Sequence, residues 1–206
     1  VAIGTDLLYA AITKTAGALS HARLGHVDRR ILLRLASGSV PGALLALGLL
    51  WWLSASGARL ETVLTSVLGL MLILTAVCVA LRGRVVAALA RRGDVGTALQ
   101  TDRTPRWRTV ALGAALGVLV TLSSVGTGAV AAAVLLLLYP ALAARRVVGT
   151  DIAHAVPLTL IGGLGHLALG HVDPALLLAL VSGSLPAIHF GARCAAGIPD
   201  RVMRIG

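Results

Sequence analysis

Long apolar runs separated by short polar stretches organise this chain. The runs fall at 4–22, 31–53, 61–81, 109–139, 147–168 and 175–193, and a membrane-spanning helix needs about 20 such residues. They predict an all-α fold, a polytopic helical membrane protein. The run 109–139 is longer than one span and is interrupted by Ser123-Ser124-Val125-Gly126-Thr127-Gly128. Residues 82–108 read as a polar linker with Gly93-Asp94, Thr104-Pro105 and scattered arginines, and the remaining loops are short.

The pattern also repeats. Residues 4–41 return without a gap at 149–186, with about half the paired positions identical. Gly4-Thr5-Asp6 becomes Gly149-Thr150-Asp151, and Leu24-Gly25-His26-Val27-Asp28 becomes Leu169-Gly170-His171-Val172-Asp173. So long a period excludes a solenoid or propeller and marks a duplicated half-domain. In a chain this apolar, two related halves point to a transporter with its site between them. The expected plan is two repeated four-span halves, with the first and last spans lying outside residues 1–206. The first half (spans 2–4) is placed at 1–81, a cytoplasmic Arg-rich linker at 82–108 and the second half (spans 5–7) at 109–206. Four spans per half make the halves parallel, whereas a re-entrant hairpin at 109–139 would make them inverted.

Composition narrows the class. Hydrophobic residues make up 57% of the chain and charged residues 13%, with a mean hydropathy of +0.92. Average soluble domains carry about 25% charged residues, so this chain has too little polar surface to cover itself in water. The net charge of +10 raises the question of nucleic acid. Its placement answers against that, because the excess clusters between Arg82 and Arg108, as expected of a cytoplasmic loop. Counting arginines puts Arg23, Arg29, Arg30, this cluster and the Arg-free turn 169–174 on the cytoplasmic face. Arg59, Arg145, Arg146, Arg201 and Arg204 fall on the other. The expected location is the inner (plasma) membrane, multi-pass. Cys78 and Cys194 show no disulfide or zinc spacing.

Polar groups inside spans are costly and therefore functional candidates. Lys14, the one lysine, sits mid-span on a stripe with Gly17, Ala18 and His21, repeated as Thr159, Gly162, Gly163 and His166. The stripe reads either as the wall of a water-filled pathway or as tight glycine packing with Lys14 paired to Asp6 or Asp151. Asp6 and Asp151 lie at the starts of their predicted helices, where a carboxylate caps free N–H groups. Proton coupling or gating is the other reading, strengthened by His154 on the face of Asp151. In the broken run, Ser123, Ser124, Gly126, Thr127 and Gly128 offer hydroxyls and free backbone N–H groups to an anion. Pro41, Pro157 and Pro186 are expected to kink or break their helices. The histidines lack ligand spacing for a metal, and no Walker A loop, nucleophile elbow or HExxH motif supports an enzyme or a cofactor.

The segments Gly4-Thr5-Asp6-Leu7-Leu8-Tyr9-Ala10-Ala11-Ile12-Thr13-Lys14, Gly25-His26-Val27-Asp28 and Gly38-Ser39-Val40-Pro41-Gly42-Ala43 resemble the sulfite exporter TauE/SafE family. Val148 to Pro157 and Gly183-Ser184-Leu185-Pro186 do so again in the second copy. The resemblance implies a permease of about eight spans, built from a duplicated four-span unit, that moves small sulfur-containing or organic anions. It also implies a Gly-rich first span before Val1, whose second-half equivalent reads Ser124-Val125-Gly126-Thr127-Gly128 with Thr127 in place of a glycine. The expected function is secondary transport of a small anion, a sulfur oxyanion or sulfonate, across the bilayer. A metal-ion permease using His154, His166 and His171 is the alternative, and a membrane assembly subunit is a third.

Overall fold

The computed structural model describes residues 2–55, 60–91, 105–125, 128–139 and 142–196. Side chains are described for these except 60–61, 82–91 and 188–196. Among the described residues seven helices follow one another: α1 (Ala2–Arg23), α2 (Arg29–Ala55), α3 (Leu60–Arg91), α4 (Arg106–Ser123), α5 (Ala129–Leu138), α6 (Ala144–Ala168) and α7 (Pro174–Ala196). Every predicted run is helical, and the long run 109–139 is split into α4 and α5. Among the described residues three helical stretches, Arg29–Ala55, Thr62–Leu81 and Ala144–Ala168, are long and apolar enough to cross a membrane. α3 continues past the predicted span end at 81 to Arg91, so part of the expected linker is helix. α2, α6 and α7 run through Pro41, Pro157 and Pro186 as continuous helices, so no break occurs there.

The repeated Leu-Gly-His-Val-Asp is punctuation between two helices. Gly25 and Gly170 take φ of 68° and 74°, a left-handed conformation that a side chain disfavours. The N–H of His26 donates to His21 O at 2.9 Å and that of His171 to His166 O at 2.8 Å, closing the two helix ends in the same way. Asp28 then accepts the N–H groups of Arg30 and Ile31, and Asp173 those of Ala175 and Leu176. These two aspartates are the N-caps. Asp6 and Asp151 are not: neither lies in the first turn of its helix, so the capping expectation fails for both.

α1 and α6 pack against each other and run antiparallel. A Cβ on Gly4, at the start of α1, would meet His171 O and His166 at the end of α6. One on Gly149, at the start of α6, would meet His26 O and His26 Cβ at the end of α1. Midway, Gly163 faces Leu8 and Gly17 faces Ile152. The polar contacts obey the same symmetry. Asp28 N donates to Thr150 Oγ1 at 2.9 Å, and Asp173 N donates to Thr5 Oγ1 at 3.0 Å. Each copy therefore offers the other the same surface, as in a two-fold dimer. The axis relating them lies across the helices, so the crossing is inverted and the parallel expectation is corrected.

α4 and α5 supply the reason. A pair of glycines spaced i, i+4 on each helix, Gly38 and Gly42 of α2 and Gly113 and Gly117 of α4, brings these backbones into direct contact. Gly38 faces Val110 and Ala114, whereas Gly117 faces Ser39 and Ala43, so α2 and α4 run the same way. α5 has 10 residues, about 15 Å at 1.5 Å per residue, half of a bilayer core about 30 Å thick. It ends where α4 began: the hydroxyls of Tyr139 and Thr109 are hydrogen-bonded, and Leu135 and Tyr139 pack with Ile31, Leu35 and Val147. The chain thus enters and leaves on one face, as a re-entrant hairpin.

Inversion also redistributes the arginines. Arg146 lies 3.8 Å from Asp28, so the start of α6 shares the end of the bundle that carries Arg29 and Arg30. Arg145 and Arg146 therefore join the Arg-bearing end, and the turn 169–173 moves to the opposite one, reversing the placement from arginine counting. Trp51 and Trp52 at one end and Trp107 at the other are exposed, as in the aromatic belts at membrane interfaces.

Candidate functional site

Residues 124–128 separate α4 from α5. Ser124 is the one non-glycine residue with positive φ among the described residues, at 60°, and its N–H donates back to Val120 O. Its hydroxyl donates to a carboxylate oxygen of Asp6 at 2.7 Å, tying the break to α1. Gly128 takes φ 116° and ψ −88°, which only glycine adopts without strain, and opens α5. Its backbone hydrogen-bonds to Asp151. The broken run therefore touches both repeated aspartates, one at each edge of the break.

Lys14 lies within electrostatic reach of both carboxylates. Asp6 is on the exposed side, whereas Asp151 is 3% exposed, with Oδ1 enclosed and without a hydrogen-bond partner among the described residues. A cavity of about 370 Å3 opens beside them, lined by Asp6, Tyr9, Thr13, Lys14, Thr75 and Ser124, with Ala10, Val125 and Ala129. Three predicted residues, Lys14, Asp6 and Ser124, thus meet at one site.

The other predicted residues stand elsewhere. Ser123 is buried and donates to Leu119 O at 2.6 Å while engaging Val125, so it shapes the break from behind. Gly126 and Thr127 lie outside the described residues. Fully buried His154 makes a 2.8 Å hydrogen bond with Ser39 on α2 and is absent from the cavity wall. His166 bonds the carbonyl of Thr121 at 2.8 Å, near the end of α4. His21 and His26 sit ring against ring, as do His166 and His171. Among the described residues no group of three or more His, Cys, Asp or Glu could hold a metal ion. The stripe of Lys14 divides between both readings: Lys14 lines the cavity, while Gly162 and Gly163 pack on Leu7 and Leu8.

Sequence reasoning passed over Tyr9, Thr13 and Thr75 as wall residues. Thr75 carries an enclosed Oγ1 with no partner among the described residues. Its signal was a hydroxyl in the middle of the apolar stretch Thr62–Leu81.

Exposed apolar helices and a re-entrant hairpin with an open cavity at its tip describe a multi-pass helical membrane protein. The family model for sulfite exporter TauE/SafE matches residues 1–206, and the chain belongs to that family. It is 32% identical over 204 residues to the probable membrane transporter protein YjnA of Bacillus subtilis (strain 168), covering 99% of this chain and 79% of YjnA. It is 29% identical over 208 residues to the probable membrane transporter protein YdhB of the same organism, covering 98% of this chain and 78% of YdhB. No solved structure gives a significant match. The family and these relatives make the chain a membrane transporter of the TauE/SafE type.

Proposed function

We propose that the chain moves a small anion, a sulfur oxyanion or sulfonate, across the cytoplasmic membrane by secondary active transport, without enzymatic chemistry. The observation that carries this reading is the cavity where Lys14 and the hydroxyls of Ser124, Thr13, Tyr9 and Thr75 surround a space next to Asp6. The ammonium and the O–H groups of Tyr9 and Thr75 suit a tetrahedral or planar oxyanion, which accepts hydrogen bonds in several directions, while Ser124 and Thr13 already donate to Asp6 and to the Tyr9 carbonyl. The family description, sulfite exporter, points to the same substrate class.

The two carboxylates give the site a route to coupling. With the cavity empty, Asp6 and Asp151 balance the charge of Lys14 from either side. An arriving anion competes for Lys14 and is repelled by Asp6, so it enters best together with a proton that neutralises one carboxylate. Anion and proton then move together. Asp6 and Asp151 serve here as coupling groups, and His154 positions α6 against α2 through Ser39. The end with the arginine excess faces the cytoplasm.

The test is flux in liposomes reconstituted with the full chain. Sulfite, thiosulfate, sulfonates and small carboxylates are supplied on either side, with and without an imposed proton gradient. The reading expects uptake of at least one sulfur oxyanion or sulfonate, accelerated by the gradient in the direction of proton flow. Absence of flux for the whole panel, in both directions, contradicts it.

A further inference from the structure

The Arg-bearing end holds a second cavity, of about 630 Å3, between the starts of α2 and α4. Arg30, Leu33, Arg34, Ser37, Arg106 and Val110 line it, and none of them lines the cavity of Lys14. We propose that it seats the phosphodiester headgroup of an anionic phospholipid, drawn from the leaflet at that end, with the acyl chains running over Leu33.

Three guanidinium groups from two helices converge on this space. Each offers paired N–H donors that match a phosphate, and the chain holds them together by the glycine contacts of α2 with α4. Among the described residues neither Arg34 nor Arg106 forms an ion pair, and Nη1 of Arg34 is enclosed without a hydrogen-bond partner. The nearby acid, Asp28, is already used: it caps α2 and pairs with Arg146. Two guanidinium groups at a membrane surface, those of Arg34 and Arg106, carry no ion pair among the described residues and attract a mobile anion.

The walls favour a lipid over a free ion. Ser37, the one hydroxyl lining the cavity, donates to Arg34 O at 2.8 Å, leaving the guanidinium groups as the principal donors. Leu33 is 69% exposed at the rim, and Trp107, 66% exposed, stands beside Arg106 with Arg108 over its ring. Basic groups with an exposed leucine and an interfacial tryptophan match a headgroup above its acyl chains. The repeat sharpens this. The mates of Arg30 and Arg34 are Ala175 and Ala179 in α7, which starts at the opposite end of the bundle. Only the copy at the Arg-bearing face keeps the basic residues, and that is the leaflet where anionic lipid concentrates.

The test titrates the full chain in detergent with short-chain phosphatidylglycerol, short-chain phosphatidylcholine or inorganic phosphate, read by native mass spectrometry and thermal shift. Phosphatidylglycerol is expected to bind at least about tenfold more tightly than phosphatidylcholine, with Arg34→Gln and Arg106→Gln each weakening it about fivefold. Lys14→Ala, in the other cavity, should bind phosphatidylglycerol as the unaltered chain does. Equal binding of the two lipids overturns the proposal. So does unchanged phosphatidylglycerol binding by the double variant. Competition by inorganic phosphate at matched concentration also overturns it, since the site would then be one for free anions. Should Arg34→Gln lower the lipid-free melting temperature, the exposed Arg106→Gln alone decides.

Discussion

In α1 and α2 the repeated segment carries Tyr9, Lys14, Arg30 and Arg34; in α6 and α7 the same positions hold His154, Thr159, Ala175 and Ala179. What the copies share is the crossing: Gly4 with Gly149, Thr5 with Thr150, His26 with His171, and the capping Asp28 with Asp173. Each of these residues makes the contact that its mate makes. The duplicated part is therefore the joint between helices, and the divergent part is the chemistry. One aspartate pair belongs to both classes. Asp6 and Asp151 are repeated, yet one lines the cavity and bonds Ser124 while the other is buried against Gly128, because the α4–α5 hairpin meets them from a single side.

If the joint is symmetric, damage to either copy should be equal. Gly4→Leu and Gly149→Leu each force a side chain into a helix end, where the facing atoms are backbone carbonyls that cannot turn away. Each should cost about 3 kcal/mol or more and lower the yield of folded protein in detergent to a similar degree. A large loss for one and none for the other breaks the symmetry.

The chemistry should respond in the opposite way. Lys14→Ala is expected to reduce anion flux about a hundredfold, the scale for removing one partner of a buried charge contact, with folding retained. Thr159→Ala, at the mate position, should leave flux near normal. Lys14→Arg should also impair transport, since a planar guanidinium does not fill the place of a compact ammonium. Normal flux in Lys14→Ala removes this residue from the site. If Lys14 serves only to pair with an aspartate, the single variant misassembles and removing Asp6 or Asp151 as well restores it.

How far the sequence carried this picture depends on the range of each interaction. Helix positions, the duplication and Lys14 were legible because apolar runs, identity at fixed offset and a charge in mid-span are local signals. The direction of the second half was not legible: it turns on whether 109–139 crosses or returns, which is set by contacts such as that of Tyr139 with Thr109, 30 residues apart. The role of Asp28 was hidden likewise, because Asp6 stood at the edge of an apolar run that begins earlier as helix than hydropathy shows. Pro41, Pro157 and Pro186 do not end their helices, since neighbouring helices in a bundle tolerate the lost hydrogen bond.

Two smaller effects refine the comparison. Thr5→Val and Thr150→Val each delete one hydroxyl acceptor for a backbone N–H in the partner copy, and each should lower stability by about 1 kcal/mol. The two losses should add, since the sites lie at opposite ends of the crossing. Arg146→Gln removes the ion pair with Asp28, which is long and has one largely exposed partner, so thermal unfolding should shift by no more than about 0.5 kcal/mol.

The inverted crossing is the claim on which the site rests: with α1 and α6 antiparallel, the break meets Asp6 through Ser124 and Asp151 through Gly128. Side-specific labelling tests it directly. With Cys78 and Cys194 replaced by serine, single variants Arg29→Cys, Arg145→Cys and Pro174→Cys are exposed to a membrane-impermeant thiol reagent in sealed vesicles of known orientation. Inversion predicts that positions 29 and 145 label from one side and position 174 from the other. Labelling of 29 and 174 from one side, with 145 from the opposite, would make the halves parallel and contradict the account.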